Sequence, residues 1–225
     1  MLKLYMHPVS TTCRPVMLFM ADSNIEAQQE LVDLFTGAHM KPEFAAINPS
    51  CQVPVLDDDG FRLTESSAIL KYLAESSRSA LYPVELQARA RVNERMDWIN
   101  TQLCRDFAYG FVYPQIFPNH KRSSGDAQAS TLAWGGERAK GWLKVLDESV
   151  LGAGNRYLCG SEITIADYFG APFVTLGEAI RCDYSAYPNV TRWLAQMKQL
   201  RTWKKVNETF DGFAASLQDA KFVPL

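Results

Sequence analysis

The sequence predicts an α/β unit followed by an all-helical unit, because its hydrophobic pattern changes character about a third of the way along the chain. In the first part, short strand-like runs alternate with helical stripes, and an Asp-Gly pair marks a tight turn between two of the runs. Beyond Tyr82-Pro83, apolar residues recur at helical spacing only. We assign the α/β unit to residues 1–76, a linker to residues 77–87 and the helical unit to residues 88–225.

The α/β unit is predicted to contain a β-α-β arrangement, an irregular segment, a β-hairpin and a helix. In chain order, its elements are a strand over Leu2–Met6, a helix over Arg14–Asp22, a strand over Gln28–Asp33, strands over Val53–Leu56 and Phe61–Leu63, and a helix behind Thr64–Ser67. The turn over residues 57–60 favours the hairpin, since Asp-Gly supplies the positive φ angles that such a turn needs. A polar start followed by a stripe at Ile69, Tyr72 and Leu73 indicates the last helix.

The helical unit is predicted from repeated one-sided apolar stripes, which mark the face that each helix buries. The stripes are Val92, Met96, Ile99 and Leu103; Trp142, Val145, Leu146 and Val150; and Val190, Trp193, Leu194, Met197 and Leu200. Thr164 and Asp167 form a capping-box-like start for a further helix, with Ile163 placed as a hydrophobic staple. The segment 119–125, rich in Lys, Arg and Ser, is expected to be an exposed connection between helices.

Composition excludes several classes of partner. A chain of 225 residues with 47% hydrophobic residues can bury a sizeable core. A formal net charge of −2 and a pI near 5.9 give no electrostatic reason to bind nucleic acid or an anionic membrane. We expect a cytoplasmic protein, since no signal-peptide pattern and no run of membrane-spanning length is visible. Five cysteines without a C-x-x-C pair predict reduced thiols, and three histidines without ligand spacing predict no metal site.

The segment PVSTTCR, residues 8–14, is the first candidate for chemistry. It lies where a predicted strand turns into a helix, so backbone N–H groups and the positive end of the helix dipole point at whatever occupies the turn. Ser10, Thr11, Thr12 or Cys13 could support an anion there, or a hydroxyl could simply cap the helix. Arg14 is expected to brace the turn or to form an ion pair in the helical unit.

Four further segments complete a pattern: GAHMK at 37–41, NPSCQVPVL at 48–56, LTESSAILKYL at 63–73 and LQARARV at 86–92. Together with PVSTTCR, these segments resemble a glutathione transferase. Their residues are most similar to those of the theta class. The segment YLCGSEITIADY extends the resemblance into the helical half. The resemblance implies a thioredoxin-like first domain, an all-helical second domain, glutathione as co-substrate and a homodimer.

The resemblance assigns the catalytic role to Ser10, which lies three residues before the Cys13-Arg14 pair. The Ser10 hydroxyl would donate a hydrogen bond to the sulfur of glutathione and hold it as thiolate, and Thr11 could add a supporting contact. Cys13 supports an alternative, in which a mixed disulfide with glutathione serves thiol reduction or ether cleavage. Family members of that kind place the cysteine where this chain has Ser10. A third hypothesis is a non-catalytic ligand-binding module with the same fold.

The resemblance also assigns the groups that bind glutathione. The cysteinyl unit would pair with the backbone of Val53, exposed by a cis peptide bond before Pro54. The helix start at Glu65-Ser66 would receive the γ-glutamyl end. Three side chains would bind the glycyl carboxylate, namely His39, Lys41 and Gln52. The theta pattern usually has a lysine where this chain has Gln52. The alternatives for the other two assignments are an ordinary trans proline at Pro54 and a solvated helix start at Glu65-Ser66.

The second substrate, a small hydrophobic electrophile, is expected between the two units. Its candidate pocket residues are aromatic: Tyr109, Tyr113 and Phe117 follow the first long helix, and Trp203 lies near the end of the chain. Core packing would account for the same residues. The expected reaction is displacement of halide from carbon, or addition to an activated double bond, by the glutathione thiolate.

Overall fold

The computed structural model describes residues 1–152 and 154–225, and its first unit is built on a four-stranded mixed sheet. The strands are β1 (Leu2–Met6), β2 (Gln28–Leu31), β3 (Val55–Asp58) and β4 (Phe61–Leu63), in the order β2-β1-β3-β4. Strand β1 is parallel to β2 and antiparallel to β3, which is antiparallel to β4. The helices are α1 (Cys13–Asp22), α2 (Pro42–Ala45) and α3 (Ser66–Ser76). The structure thus confirms the order of the predicted strands and helices and adds α2 in the irregular segment. Two strand bounds differ: β2 ends at Leu31, and the strand predicted over 53–56 lies at Val55–Asp58, since Asp57 and Asp58 pair with β1.

The predicted hairpin is present at β3 and β4. Asp57 pairs with Arg62 and Asp58 with Phe61, so the turn falls where the Asp-Gly pair indicates. Asp59 and Gly60 have φ angles of 49° and 95°. The Gly60 N–H donates to Oδ1 of Asp57 at 2.8 Å, which closes the turn.

The second unit contains the remaining helices. These are α4 (Leu86–Trp98), α5 (Tyr113–Ile116), α6 (Gly125–Lys144), α7 (Ile165–Thr175), α8 (Pro188–Met197) and α9 (Trp203–Ser216). Wider π-type turns over Ile99–Val112 join α4 to α5, and similar turns over Val145–Val150 extend α6. The segment 119–125 lies between α5 and α6 and is mostly exposed, as predicted. Within the described ranges, no helix is both long and apolar enough to cross a membrane.

Helix α7 forms the centre of the helical unit, and all eleven of its residues are buried. Its start is the predicted capping box. The Thr164 side chain accepts the Ala166 N–H, and Oδ2 of Asp167 accepts the Thr164 N–H at 2.9 Å. The other oxygen of Asp167 accepts from the indole of Trp193 at 2.9 Å, which ties α8 to α7.

The apolar stripes are mostly buried, but one residue was predicted wrongly. Val145 is 36% exposed, whereas Leu146 and Val150 are buried. The π-type turns begin at Val145, and a stripe drawn for 3.6 residues per turn no longer describes which residues face the core there. Leu200 is half-buried and lies beyond the end of α8.

Helix α1 is the element that joins the two units. It packs against α3 in the first unit and against α7 and α9 in the second. Near its end, the Asp22 carboxylate accepts hydrogen bonds from the Tyr168 hydroxyl at 3.1 Å and the Thr202 hydroxyl at 2.6 Å. The start of α1, directly after the candidate segment PVSTTCR, is thereby held beside the helical unit.

Candidate active site

The turn between β1 and α1 places Ser10 and Thr12 in a short chain of hydrogen bonds. The Thr12 hydroxyl donates to the carbonyl oxygen of Val53 at 2.8 Å, and the hydroxyl oxygens of Ser10 and Thr12 lie 3.0 Å apart. Because the Thr12 proton is directed at Val53, Ser10 is the donor to Thr12. The Ser10 Oγ also accepts the Cys13 N–H at 3.3 Å. Ser10 therefore both caps α1 and presents a hydroxyl whose proton can be turned to another acceptor.

Ser10 lies on the wall of a cavity of about 210 Å³ between the two units. Most of the predicted site residues line this cavity: His39, Gln52, Val53, Tyr109, Tyr113 and Phe117. Thr11 and Thr12 line the cavity as well, so two further hydroxyl groups besides that of Ser10 could contact a ligand there. The structure thus brings these residues to one cavity, and their role as a substrate site stays a prediction.

A second cavity of about 220 Å³ adjoins the first, since Thr12, Gln52, Val53 and Tyr109 line both. Its wall also includes Pro54, Glu65 and Ser66. The Val53-Pro54 peptide bond is cis, as predicted. We call the two adjoining cavities together the groove; their walls include the start of α3, the Ser10 turn and the aromatic residues.

Glu65 has an unusual backbone. Its φ angle is 64° and its ψ angle is 111°, at the position directly before α3. A non-glycine residue with positive φ is uncommon, and such residues concentrate at ligand-binding sites. The conformation leaves Glu65 exposed at the cavity wall, while Ser66 begins the helix and is 7% exposed.

Two predicted residues are not brought to the groove. Lys41 is exposed directly before α2, and it lines neither of the two cavities as the described residues define them. Trp203 is buried and lines a different cavity, beside Arg14. The prediction that Trp203 lines the electrophile pocket is therefore wrong, because the direction of α9 brings its ring to the cavity beside Arg14.

Sequence reasoning missed part of the aromatic wall. A chain of ring contacts runs from His7 to Phe35 at 5.3 Å, on to Phe213 at 5.8 Å, and from Phe213 to Phe117 at 6.0 Å. His120 continues it, with its ring 5.2 Å from that of Tyr113. The rings come from four separate segments of the chain. No local pattern predicts that these rings meet. A phenylalanine in the loop before Gly37 is a weak sequence signal for a binding role of Phe35, which the structure shows to be exposed.

The titratable groups of this wall are uncharged at neutral pH. Burial lowers the pKa of His7, although Asp33 opposes this, and burial with the Arg122 charge lowers the pKa of His120. Burial raises the pKa of both Tyr109 and Tyr113. The two tyrosine hydroxyls therefore remain protonated and can donate hydrogen bonds to a bound molecule.

Cys13 has a different environment from Ser10. Its side chain is completely buried, and burial raises the pKa of its thiol to about 12 even though Ser10 and His7 hydrogen-bond to it. A thiol in that environment is protonated and out of contact with solvent, whereas a reactive cysteine needs an accessible thiolate. The geometry favours Ser10 over Cys13 as the group that meets a ligand.

Two protein-family models match parts of this chain. The model described as glutathione S-transferase, N-terminal domain matches residues 9–76, and the model described as glutathione S-transferase, C-terminal domain matches residues 127–200. These matches, with the mixed sheet and the helical second half, confirm the predicted fold class: a thioredoxin-like domain followed by an all-helical domain.

Several solved structures resemble the chain over nearly its whole length. A delta-class glutathione transferase from Nilaparvata lugens is 30% identical, with a TM-score of 0.79, covering 96% of this chain and 97% of that one. Human glutathione S-transferase T1-1 is 28% identical, with a TM-score of 0.80 and 96% coverage of both chains. An epsilon-class glutathione S-transferase from the housefly Musca domestica is 26% identical, with a TM-score of 0.80, covering 99% of this chain and 100% of that one.

Proposed function

Because the chain belongs to the glutathione transferase family, we propose that it conjugates glutathione to small hydrophobic electrophiles, with Ser10 holding the sulfur as thiolate. The observation that carries this proposal is the position of the Ser10 hydroxyl, on the wall of the inter-unit cavity and within hydrogen-bond distance of the Thr12 hydroxyl. The serine-type, theta-class-like assignment is part of the proposal.

The groove offers complementary groups for an extended peptide of the size of glutathione. The backbone of Val53 would pair with the cysteinyl unit, as in the addition of a strand to a sheet edge. Glu65 would meet the γ-glutamyl ammonium, and the Ser66 hydroxyl and N–H would bind its carboxylate at the start of α3. His39 and Gln52 line the other end and would bind the glycyl carboxylate, with the exposed Lys41 nearby in sequence as a more distant charge.

This placement brings the cysteinyl sulfur to the Ser10 turn, where Ser10 can activate it. A thiol with a pKa near 8.5 is only about 3% ionised at pH 7. A hydrogen bond to a charged group contributes about 1.5–3 kcal/mol, which lowers the thiol pKa by about one to two units. The Ser10 proton would turn from Thr12 to the sulfur, while Thr12 keeps its bond to Val53. Ser10 stays protonated throughout.

The second substrate would occupy the aromatic side of the groove. Tyr109, Tyr113 and Phe117 supply apolar surface there, and Phe35 and Phe213 narrow the opening. Such a wall excludes water from the thiolate and from the electrophilic carbon. The thiolate would attack that carbon, forming a C–S bond while halide leaves, or adding to an activated double bond with a proton taken up at the neighbouring carbon.

The proposal extends to the setting of the enzyme. All five cysteines, each within the described residues, carry free thiols, which is typical of a reducing compartment such as the cytoplasm. We propose a homodimer of chains whose glutathione-binding domain covers residues 1–76, followed by a linker at 77–87 and a helical domain at 88–225 that contributes the electrophile site.

The test is conjugation measured as loss of an aryl halide and an alkyl halide in the presence of reduced glutathione. Ser10→Ala should lower the rate about 10- to 100-fold at neutral pH, because it removes one charge-assisted hydrogen bond. Cys13→Ala should keep most of the activity. Activity that disappears with Cys13→Ala and survives Ser10→Ala would instead support the reductase or ether-cleaving alternative.

A further inference from the structure

Arg14 carries a buried positive charge directly behind the Ser10 turn. Its side chain has no exposed surface, and its guanidinium donates to the Pro172 carbonyl at 2.7 Å, to Asn207 Oδ1 at 3.0 Å and to Thr175 Oγ1 at 3.2 Å. The guanidinium carbon lies 3.7 Å from the centre of the Phe210 ring. Every one of these partners is uncharged.

The charge of Arg14 is not cancelled by a contacting carboxylate. Across residues 1–152 and 154–225, no acidic side chain forms an ion pair with Arg14, and its Nε has no hydrogen-bond partner. Burial lowers the pKa of Arg14 to about 10, opposed by Tyr113, Glu178 and Asp211. Arg14 therefore remains protonated at neutral pH, which is unusual for a buried cation without an acidic partner.

The acidic groups that face Arg14 act from farther away and are partly occupied. Glu178 forms an ion pair with Lys198 at 2.6 Å, and Asp211 is an exposed residue of α9. Lys198 and Lys204 line the same cavity beside Arg14 and add positive charge. The cavity wall thus holds three cationic side chains, Arg14, Lys198 and Lys204, beside the two carboxylates of Glu178 and Asp211.

The backbone of Arg14 belongs to the turn that would bind the sulfur, and its side chain extends from that turn to α7 and α9. The Arg14 N–H donates to the Ser10 carbonyl at 3.0 Å, so Arg14 is part of the same turn as Ser10. Phe210, on which the guanidinium stacks, lines the Ser10 cavity as well as the cavity beside Arg14. Phe210 is therefore a wall residue common to the cavity beside the buried cation and the cavity of the proposed thiolate.

We propose that Arg14 is a positioning residue with an electrostatic role: it anchors the Ser10 turn to α7 and α9, and its uncompensated charge favours the thiolate form of bound glutathione. This inference rests on the proposed function. A positive charge held in a medium of low dielectric favours a nearby anion more than it would in water. The neutral partners Pro172, Thr175 and Asn207 fix the guanidinium without cancelling that effect.

Two variants separate the charge from the anchoring. Asn207→Asp places a carboxylate at an atom that now contacts the guanidinium, so it cancels the charge while Arg14 stays in place. Thr175→Val is the matched control, because it removes a hydrogen bond to the same guanidinium nitrogen without changing any charge. Arg14→Lys keeps the charge with fewer bonds, and Arg14→Gln removes it.

The measurement is a titration of the ultraviolet absorbance of reduced glutathione bound to each protein. Asn207→Asp and Arg14→Gln should raise the pKa of the bound thiol by roughly half a unit to one unit, since opposite charges at closer range shift pKa values by 1–3 units. Thr175→Val and Arg14→Lys should leave the bound thiol near the wild-type value. If Arg14→Gln does not fold, the Asn207→Asp and Thr175→Val pair still decides the question.

The outcomes distinguish this inference from the proposed function. A wild-type protein whose bound glutathione titrates as in water contradicts the proposed function and, with it, the role of Arg14. A wild-type protein that lowers the thiol pKa, with Asn207→Asp equal to wild type, contradicts the role of Arg14 alone. Equal shifts in Asn207→Asp and Thr175→Val would show that Arg14 acts by anchoring only, which also overturns the electrostatic proposal.

Discussion

The two sides of the groove are built in different ways. The proposed glutathione side consists of a turn, a cis peptide bond and a helix start, so backbone groups near Ser10, Val53 and Ser66 dominate it. The proposed electrophile side consists of aromatic rings, including Phe35, Phe117 and Phe213, that come from distant segments. From this difference we expect one side to be specific for a single peptide and the other to be less selective among apolar molecules.

Among the variants that distinguish the two sides, Ser66→Ala should have the largest effect on the KM for one substrate relative to the other. Loss of its hydroxyl removes a hydrogen bond to the γ-glutamyl carboxylate, and a bond to a charged group contributes about 1.5–3 kcal/mol, so the KM for glutathione should rise about 10- to 100-fold. The KM for the electrophile should change little. Steady-state kinetics with each substrate varied in turn measures both constants.

Ser67→Ala is the matched control for this change, because Ser67 neighbours Ser66 on α3 and lines neither cavity among the described residues. It should leave both KM values near wild type. A Ser66→Ala protein with an unchanged KM for glutathione would show that the start of α3 does not bind the γ-glutamyl end.

Phe213→Ala should have a smaller effect, and on the other substrate: it should change the KM for the electrophile and not the binding of glutathione. Phe213 stacks on Phe117 at an interplanar angle of 7°, and an aromatic pair of this kind contributes about 0.5–1.5 kcal/mol beyond its buried area. The KM for an aromatic electrophile should rise about 3- to 10-fold, while the dissociation constant of glutathione stays the same. Phe222→Ala serves as control, because Phe222 packs beside Arg181 and lines neither cavity among the described residues. A change in glutathione affinity with no change for the electrophile would contradict the division of the groove.

Thr12 lines both cavities, and Thr12→Val should lower turnover. Valine keeps the shape of threonine but cannot link the Ser10 hydroxyl to the Val53 carbonyl. Neutral hydrogen bonds contribute about 0.5–1.5 kcal/mol, so turnover should fall by less than about 10-fold, and less than in Ser10→Ala. Turnover that falls further than in Ser10→Ala would identify Thr12, rather than Ser10, as the donor to the sulfur.

The smallest expected effect is a pH dependence confined to the electrophile side. The pKa of His120 is lowered from its usual value by burial, so the ring is neutral at pH 7 and gains a proton only as the pH falls below about 6.5. Protonation places a charge among aromatic rings and should raise the KM for an apolar electrophile a few-fold below that pH. His120→Phe should remove this dependence. The KM for glutathione, measured in the same series, should not follow the His120 titration.

Much of the glutathione side could be predicted from the sequence because local chemistry determines it. An Asp-Gly turn, a Val-Pro pair before a strand and a polar helix start each have a short signature, and the structure contains the hairpin, the cis bond and α3 at those places. The role of each residue toward glutathione remains a prediction.

The electrophile side could be predicted only in part, because tertiary packing determines it. Tyr109, Tyr113 and Phe117 were found from their clustering in sequence, and they do line the Ser10 cavity. Phe35 and Phe213 meet at 5.8 Å across a separation of more than half the chain, which no local pattern indicates. Trp203, predicted to close the pocket over the sulfur, instead lines the cavity beside Arg14, and the course of α9 that decides this has no local signature.

Arg14 illustrates the same limit. The sequence offered two roles, a brace or an ion pair, and the structure shows a brace whose hydrogen-bond partners are all neutral. Its partners Pro172, Thr175 and Asn207 lie more than 150 residues away. Only the packing of α1 against α7 and α9 shows that the charge is left uncancelled.

The most direct test of the account is the pH titration of thiolate absorbance for glutathione bound to the wild-type protein and to Ser10→Ala. We predict that the wild-type protein lowers the pKa of the bound thiol by about one to two units from about 8.5, and that Ser10→Ala restores most of that difference. Bound glutathione that titrates as in water in the wild-type protein, or a lowered pKa that Ser10→Ala leaves unchanged, would contradict the role of Ser10.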